Sequence, residues 1–422
     1  MKIGRIKENI LNEIDNREKE IVRLCCDLIS IPSENPPGDT TNIAQFLKDY
    51  LKEKGFKVEV YEPKKGIVNL VTTVEGSQQK PNLILNGHID VFPAGNEKAW
   101  DLPPFYGQVK YGKLWGRGAA DMKGGLAASL AAFTLIGCME IDLPGKLTLT
   151  IVSDEESGGK WGTEWLIDNV PAALGDACFI GEPTALQVRV GEKGACWLRV
   201  KTQGKAAHGA YTPVLGDNAI MKMAKVLQVA ESLRDVKGKI PNEAKELSEN
   251  AKYYLEKTYP GLGRVFDHVS VNVGTIKNGV NVNIVPASCE AELDIRVPIG
   301  ITPEEVKKEL QVRLREAGLE DVEYEFINKN EANYTSPNEK VVKVVCENAT
   351  EVTGSRSRPS ATVGATDGRF FRRKSIPTVV FGPTEHNMGA PNEYITVEDL
   401  IKVAKVHSGV VIDYYNLSPT RT

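Results

Sequence analysis

Leu83-Ile84-Leu85-Asn86-Gly87-His88-Ile89-Asp90 is a short apolar run that empties into an imidazole and a carboxylate. Such a run reads as a strand buried on both faces, which belongs in a sheet covered by helices on either side. The pattern recurs. Thr148 to Val152 leads into Ser153-Asp154-Glu155-Glu156-Ser157-Gly158-Gly159, and Cys178-Phe179-Ile180 into Gly181-Glu182-Pro183. Strand-like runs at Lys57 to Tyr61, Val68 to Val74, Asn82 to Asn86, Lys146 to Val152 and Ala177 to Ile180 alternate with helix-like ones at Ala44 to Gly55, Gly124 to Ile136 and Thr163 to Asn169. The alternation predicts an α/β fold, a three-layer domain around a mixed central sheet.

Lys7 to Ile29 carries apolar residues at helical spacing until Ile31-Pro32 ends it, so one opening helix is expected. Near Glu192 the style changes. Strands at Ala195 to Gln203, His268 to Thr275, Ser288 to Val297 and Val322 to Ile327 interleave with helices at Asn218 to Leu233 and Pro303 to Glu316, a βαββαβ order. Lys237 to Lys257 reads as an exposed helical insertion. After Asn328 the α/β style resumes with a helix at Glu339 to Thr350, a strand at Pro377 to Phe381 and a last helix from Val397. The expected domains are therefore 1–191 and 331–422 as two parts of a catalytic domain, with 192–330 an inserted α+β lid.

Composition narrows the function classes. Fifty-two Lys and Arg against 56 Asp and Glu leave a net charge of −4, which gives no bulk attraction to nucleic acid or anionic membrane. Met1 to Glu13 mixes charged and apolar residues with no apolar core, so no targeting peptide is read there and a cytoplasmic location is expected. The uncharged stretch Gly124 to Met139 is shorter than the ~18 to 20 apolar residues a membrane span needs and reads as a buried helix. Seven cysteines without a C-x-x-C pair suit small core residues better than a disulfide framework or a thiolate zinc site.

The chemistry lies at the strand ends, because ligands of open α/β sheets bind beyond the carboxyl ends of the strands. His88, Asp90, Glu155, Glu156 and Glu182 all fall there. Asp121, in Gly116-Arg117-Gly118-Ala119-Ala120-Asp121-Met122-Lys123-Gly124-Gly125, stands just before a helix and can join them. So many carboxylates at contact distance cannot all ionise without cations. Two divalent ions, zinc by preference with cobalt as the alternative, resolve the repulsion. Asp121 is the residue placed to bridge them. Glu155 and Glu156 are neighbours that cannot aim at one point, so one should bind metal and the other act as general base. Asp90, two residues beyond His88, is placed to orient its imidazole. Competing motifs fail: the glycines from Gly116 meet Asp121 at the sixth place, where its charge repels a pyrophosphate, and no P-loop, H-E-x-x-H or G-x-S-x-G occurs.

These stretches, together with Ser33-Glu34-Asn35-Pro36-Pro37-Gly38, Gly181-Glu182-Pro183-Thr184 and Ala390-Pro391-Asn392-Glu393, resemble the metallohydrolase family of acetylornithine deacetylase, succinyl-diaminopimelate desuccinylase, aminoacylase and bacterial glutamate carboxypeptidase. The likeness covers nearly the whole chain. It implies that His88 and Glu182 hold one metal, that Asp121 bridges, that Glu156 and a late histidine hold the other, and that Glu155 is the base. The family places that histidine four residues before the Glu of its Pro-Asn-Glu turn, where this chain has Gly389; His386, three residues earlier, is the expected substitute. The resemblance also implies that His208 reaches the active site of the other subunit of a homodimer formed through the inserted domain, and steadies the oxyanion there. Asn283, Arg296 and Arg369 match further family positions. Arg296 is the candidate clamp for a substrate carboxylate, with a partnership to Asp294 or Glu292 as its alternative. His407, inside the last helix, is expected to be structural. The expected reaction is hydrolysis of the amide of an N-acyl amino acid. A carboxypeptidase or dipeptidase on the same site, or a non-catalytic amino-acid or peptide binder, is the alternative.

Overall fold

A computed structural model describes residues 2–139, 141–212 and 214–417, which divide into two compact units. The first comprises 1–190, 335–359 and 366–422, the second 191–334 and 360–365.

In the first unit the sheet runs in the order Glu59–Lys64, Ile67–Glu75, Lys146–Val152, Asn82–His88, Ala177–Ile180, Thr378–Val380. The last four strands are mutually parallel and the first two antiparallel, so the sheet is mixed. Register sets His88 beside Val152 and Asn86 beside Ile180, so the carboxyl ends of the parallel strands open at one rim. Asn82–His88 is buried throughout, the consequence of helices on both faces. On one face lies Gly124–Gly137, buried at every residue from Gly124 to Ile136 and packed on the last helix, Val397–Tyr415. The segment Ala119–Gly137 is apolar enough to pass for a membrane span, but its most apolar 18-residue window is 94% buried in the fold. On the other face Ile84, Cys178 and Ile180 pack with Ile167, Phe370 and Phe371.

The opening segment departs from expectation. It forms two helices, Lys2–Asn16 and Glu18–Ser30, separated at Arg17 (φ −95°, ψ 10°). Ile14 and Ile21 keep helical phase across the break, and Ile21 N–H still donates to Arg17 O at 3.0 Å, so apolar spacing cannot reveal it. A small sheet of Gln108–Lys110, Lys113–Trp115 and Tyr394–Thr396 is a second departure; strands of three residues are too short to carry a period.

The second unit is an antiparallel four-stranded sheet in the order Ser270–Lys277, Ser288–Val297, Gly194–Gln203, Glu323–Asn330. Helices Ala219–Ser232 and Pro303–Glu316 cover one face and bury Leu198, Val200, Val226, Leu293 and Leu310. Thr302 and Glu305 form a capping box with Pro303 at the first helical position, which starts the second helix firmly. Instead of a wholly exposed insertion, the structure has a helix, Lys245–Thr258, that buries Leu247 and Ala251 and packs along Ser360–Thr362. Its polar residues dominate the count, but two apolar positions on one face suffice to dock it.

Candidate active site

Close backbone approach positions the first candidate ligands. A Cβ on Gly125 would lie 1.7 Å from Gly181 O, so only glycine lets the start of the Gly124 helix rest on the chain just before Glu182. Asp121 thereby comes beside His88 and Glu182. His88 Nε2 lies 3.1 Å from Asp121 Oδ1 and 3.3 Å from Glu182 Oε1, and one ligand atom from each of the three lies within 4.8 Å of the others. Asp121 itself leaves helical geometry (φ −120°, ψ 97°), which turns it off the helix axis.

The imidazole is held from behind. Nδ1 lies 2.8 Å from the backbone carbonyl of Asp90 and 3.5 Å from its carboxylate. That carboxylate, wholly buried, accepts from Asn35 Nδ2 at 2.8 Å and from the backbone N–H groups of Glu155 and Glu156 at 3.3 and 3.2 Å. Ser157 Oγ donates to Asn35 Oδ1 at 2.6 Å. Asp90 therefore ties the His88 strand end to the turn that carries both glutamates. Burial pushes its carboxyl up, but the hydrogen bond and charge of His88, the Asn35 amide and the Glu156 N–H outweigh this and leave it below the usual range. Asp154, just before the glutamates, stands in the left-handed region (φ +74°), as sharp turns at functional sites often require.

Charge at the site is unbalanced. Burial, then the neighbouring charge of Asp367, pushes the Glu155 carboxyl up to about 8, while His88 and Arg369 pull the other way. Burial and then Asp121 push Glu156 to about 11, and burial and Asp121 also raise Glu182. Burial opposes a proton on His88, but Glu182, Asp121 and Asp90 outweigh it and hold its pKa well above the usual value. Glu156 Oε1 is buried with no hydrogen-bond partner. Buried carboxylates that repel one another, one with an unpartnered oxygen, beside an imidazole nitrogen fit a divalent cation site.

The remaining candidates fall in other surroundings. His386 is half-buried; its ring stacks on Tyr394 at 4.3 Å and 9°, and among the described residues neither it nor Glu156 joins the His88, Asp121 and Glu182 cluster. Arg369 is buried with Nη1 3.4 Å from Glu155 Oε1 and Nη2 donating to Gly158 O at 3.0 Å, so its guanidinium faces the candidate base. His407 lies between Ser129 Oγ and Phe381 O, both 3.0 Å away, a satisfied core histidine. In the second unit, His208 and Asn283 share a loop pair: Gly209 N–H donates to Asn283 O at 2.7 Å, and both side chains are exposed. Arg296 Nε lies 2.9 Å from Asp294 Oδ1 on its own strand, the alternative the sequence left open.

Residue patterns missed three contributors. Asp367, buried and accepting from Thr163 Oγ1 at 2.6 Å, bears on Glu155 by charge. Asn35 and Glu393 sit in stretches quoted for the family resemblance, which was the only signal they carried.

The profile of Peptidase family M20/M25/M40 matches residues 84–413. A succinyl-diaminopimelate desuccinylase of Xanthobacter autotrophicus is 30% identical over 406 residues, covering 93% of this chain and 99% of that protein. An M20-family metallo-carboxypeptidase from Sulfolobus solfataricus has a similar structure, with a TM-score of 0.77 at 22% identity over 94% of this chain and 99% of its own. A dinuclear metal-binding peptidase of the M20 family from Bacillus subtilis gives a TM-score of 0.67 at 13% identity over 95% and 99%. Both solved structures share the fold with this chain.

Proposed function

We propose that this chain, which belongs to Peptidase family M20/M25/M40, hydrolyses the amide of an N-acyl amino acid at a site for two divalent ions, zinc by preference. The observation that carries the proposal is His88 Nε2 set 3.1 and 3.3 Å from two carboxylate oxygens, beside the half-buried Glu155, whose carboxyl is pushed up to about 8. In this reading His88 and Glu182 would hold one ion and Glu156 and His386 the other, with Asp121 available to both. When bound, the ions supply positive charge that polarises the amide carbonyl and acidifies the attacking water.

The protein's own groups do the rest. Glu155 takes a proton from the attacking water and passes it to the leaving amine nitrogen as the C–N bond breaks. Burial raises the proton affinity of Glu155, Asp367 adds to it, and the charges of His88 and Arg369 oppose it. Asp90 keeps the imidazole and the glutamate turn in register. His208 of the partner subunit steadies the oxyanion in a homodimer. Its Nδ1 accepts from Ala210 N–H at 3.2 Å, which leaves the proton on Nε2, the nitrogen a donor to an oxyanion needs. Asn283 shares that loop pair, and Arg296 can serve a substrate carboxylate by exchanging it for Asp294.

The deacylase reading draws support from the desuccinylase relative at 30% identity, whereas the carboxypeptidase likeness bears on fold alone. Zinc- or cobalt-supplemented protein should cleave N-acetyl and N-succinyl amino acids with kcat/KM about tenfold above dipeptides. A preference for dipeptides would move the assignment to the peptidase alternative, and no hydrolysis of either panel would leave a binding protein.

His386→Ala should lower the bound metal from two ions per chain to one and weaken turnover, because the second ion loses its nitrogen donor. Unchanged metal content and rate in that variant would remove His386 from the ligand set.

A further inference from the structure

We propose that the buried Arg117–Glu393 pair is a positioning device that holds the Asp121 backbone and the Gly389 loop in place for metal binding. It rests on the reading of Asp121 as a ligand, and nothing in that reading requires it.

Both side chains are about 1% exposed, and Arg117 Nη1 donates to Glu393 Oε2 at 2.5 Å. The other carboxylate oxygen accepts from the N–H groups of Ala120 and Asp121 at 2.9 and 3.3 Å. These amides lie in the irregular turn ahead of the Gly124–Gly137 helix, where buried N–H groups need an acceptor. Glu393 satisfies them and so sets the direction in which Asp121 leaves the chain. The small sheet delivers Glu393 to this point: Tyr394 pairs with Trp115, and Gly116 N–H donates to Glu393 O at 2.9 Å. Arg117 extends the hold. Its Nη2 donates to Pro93 O at 3.3 Å and Gly389 O at 3.2 Å. One guanidinium thus joins the segment after His88 and Asp90, the Asp121 turn, and the loop between His386 and Glu393. Asp90 does the same for the amides of Glu155 and Glu156, so each of these ligand-bearing turns rests on a buried carboxylate.

A pair kept for stability alone behaves differently. Exchanging both members of a buried ion pair for uncharged residues is often neutral for folding, because no charge is left without a partner. The test compares Arg117→Met with Glu393→Leu against Arg117→Met with Glu393→Gln. Both double variants lack the charges, but only the second keeps an acceptor for the Ala120 and Asp121 amides. Binding is read by titrating the metal-free proteins with Co²⁺ and following the absorbance of the bound ion, beside kcat and KM. The Leu variant should fold, bind Co²⁺ roughly ten- to a hundredfold more weakly and lose kcat more than KM, with the Gln variant recovering most of the loss. Equal Co²⁺ binding by both variants, whether like the parent's or equally weakened, overturns the proposal, as does failure of the Leu variant to fold. A parent protein that binds no Co²⁺ overturns the ligand reading instead.

Discussion

Glu155→Gln is expected to abolish turnover while both metal ions stay bound. The exchange preserves size and the oxygen that faces Arg369 Nη1 at 3.4 Å, but an amide cannot take up the proton that the attacking water must lose. General-base catalysis contributes typically 10² to 10⁴ in rate, about 3 to 5 kcal/mol of barrier at 1.36 kcal/mol per decade. A base whose pKa is held near 8 by burial and Asp367 is suited to that work, and bound cations would pull it lower. Release of amine from an N-acyl amino acid gives kcat, and elemental analysis gives the metal. A variant within about tenfold of the parent would show that another group accepts the proton. Loss of metal together with activity would make Glu155 a ligand.

Chelation should have the second largest effect, removing all turnover and changing how stability depends on pH. In the metal-free protein Glu155 titrates at about 8 and Glu156 at about 11, both above the ordinary 4.5 of a glutamate. Carboxyls raised by the fold contribute stability that is fully present below about pH 4.5 and is lost as pH rises through 8 toward 11. The metal-free protein should therefore unfold at progressively lower temperature from pH 5 to pH 8.5. Zinc or cobalt should reverse the trend, since cations compensate the ionised carboxylates; an ion at a hundred times its Kd adds about 2.7 kcal/mol. Thermal unfolding across that range, with chelator and with Zn²⁺, checks the sign. A Tm that is flat in pH and indifferent to metal would mean the carboxylates do not share a cation.

The strands of the first unit were legible because short apolar runs such as Leu83-Ile84-Leu85, recurring between helix-like segments, suit strands covered on both faces, and Asn82–His88 is buried throughout. The acids and imidazoles at their ends were legible for the same reason: once the strands were placed, their carboxyl ends named the rim. The break at Arg17 was hidden by apolar residues that keep helical phase across it. The neighbour of Arg369 was hidden too, since Glu155 is 214 positions away and the likeness gave Arg369 only a matching family position.

The set of elements and the kind of chemistry can be read along the chain, since hydrophobic periodicity and the acids at strand ends follow from local order. Which groups support the candidate ligands, by contrast, follows from the folded chain alone. Asn35 with Asp90, Asp367 with Glu155, and Arg117 with Glu393 across 276 positions meet in loops, where no period links residue to partner. Those pairings depend on strand register and on the close contact of Gly125 with Gly181, quantities that exist only once the chain is folded.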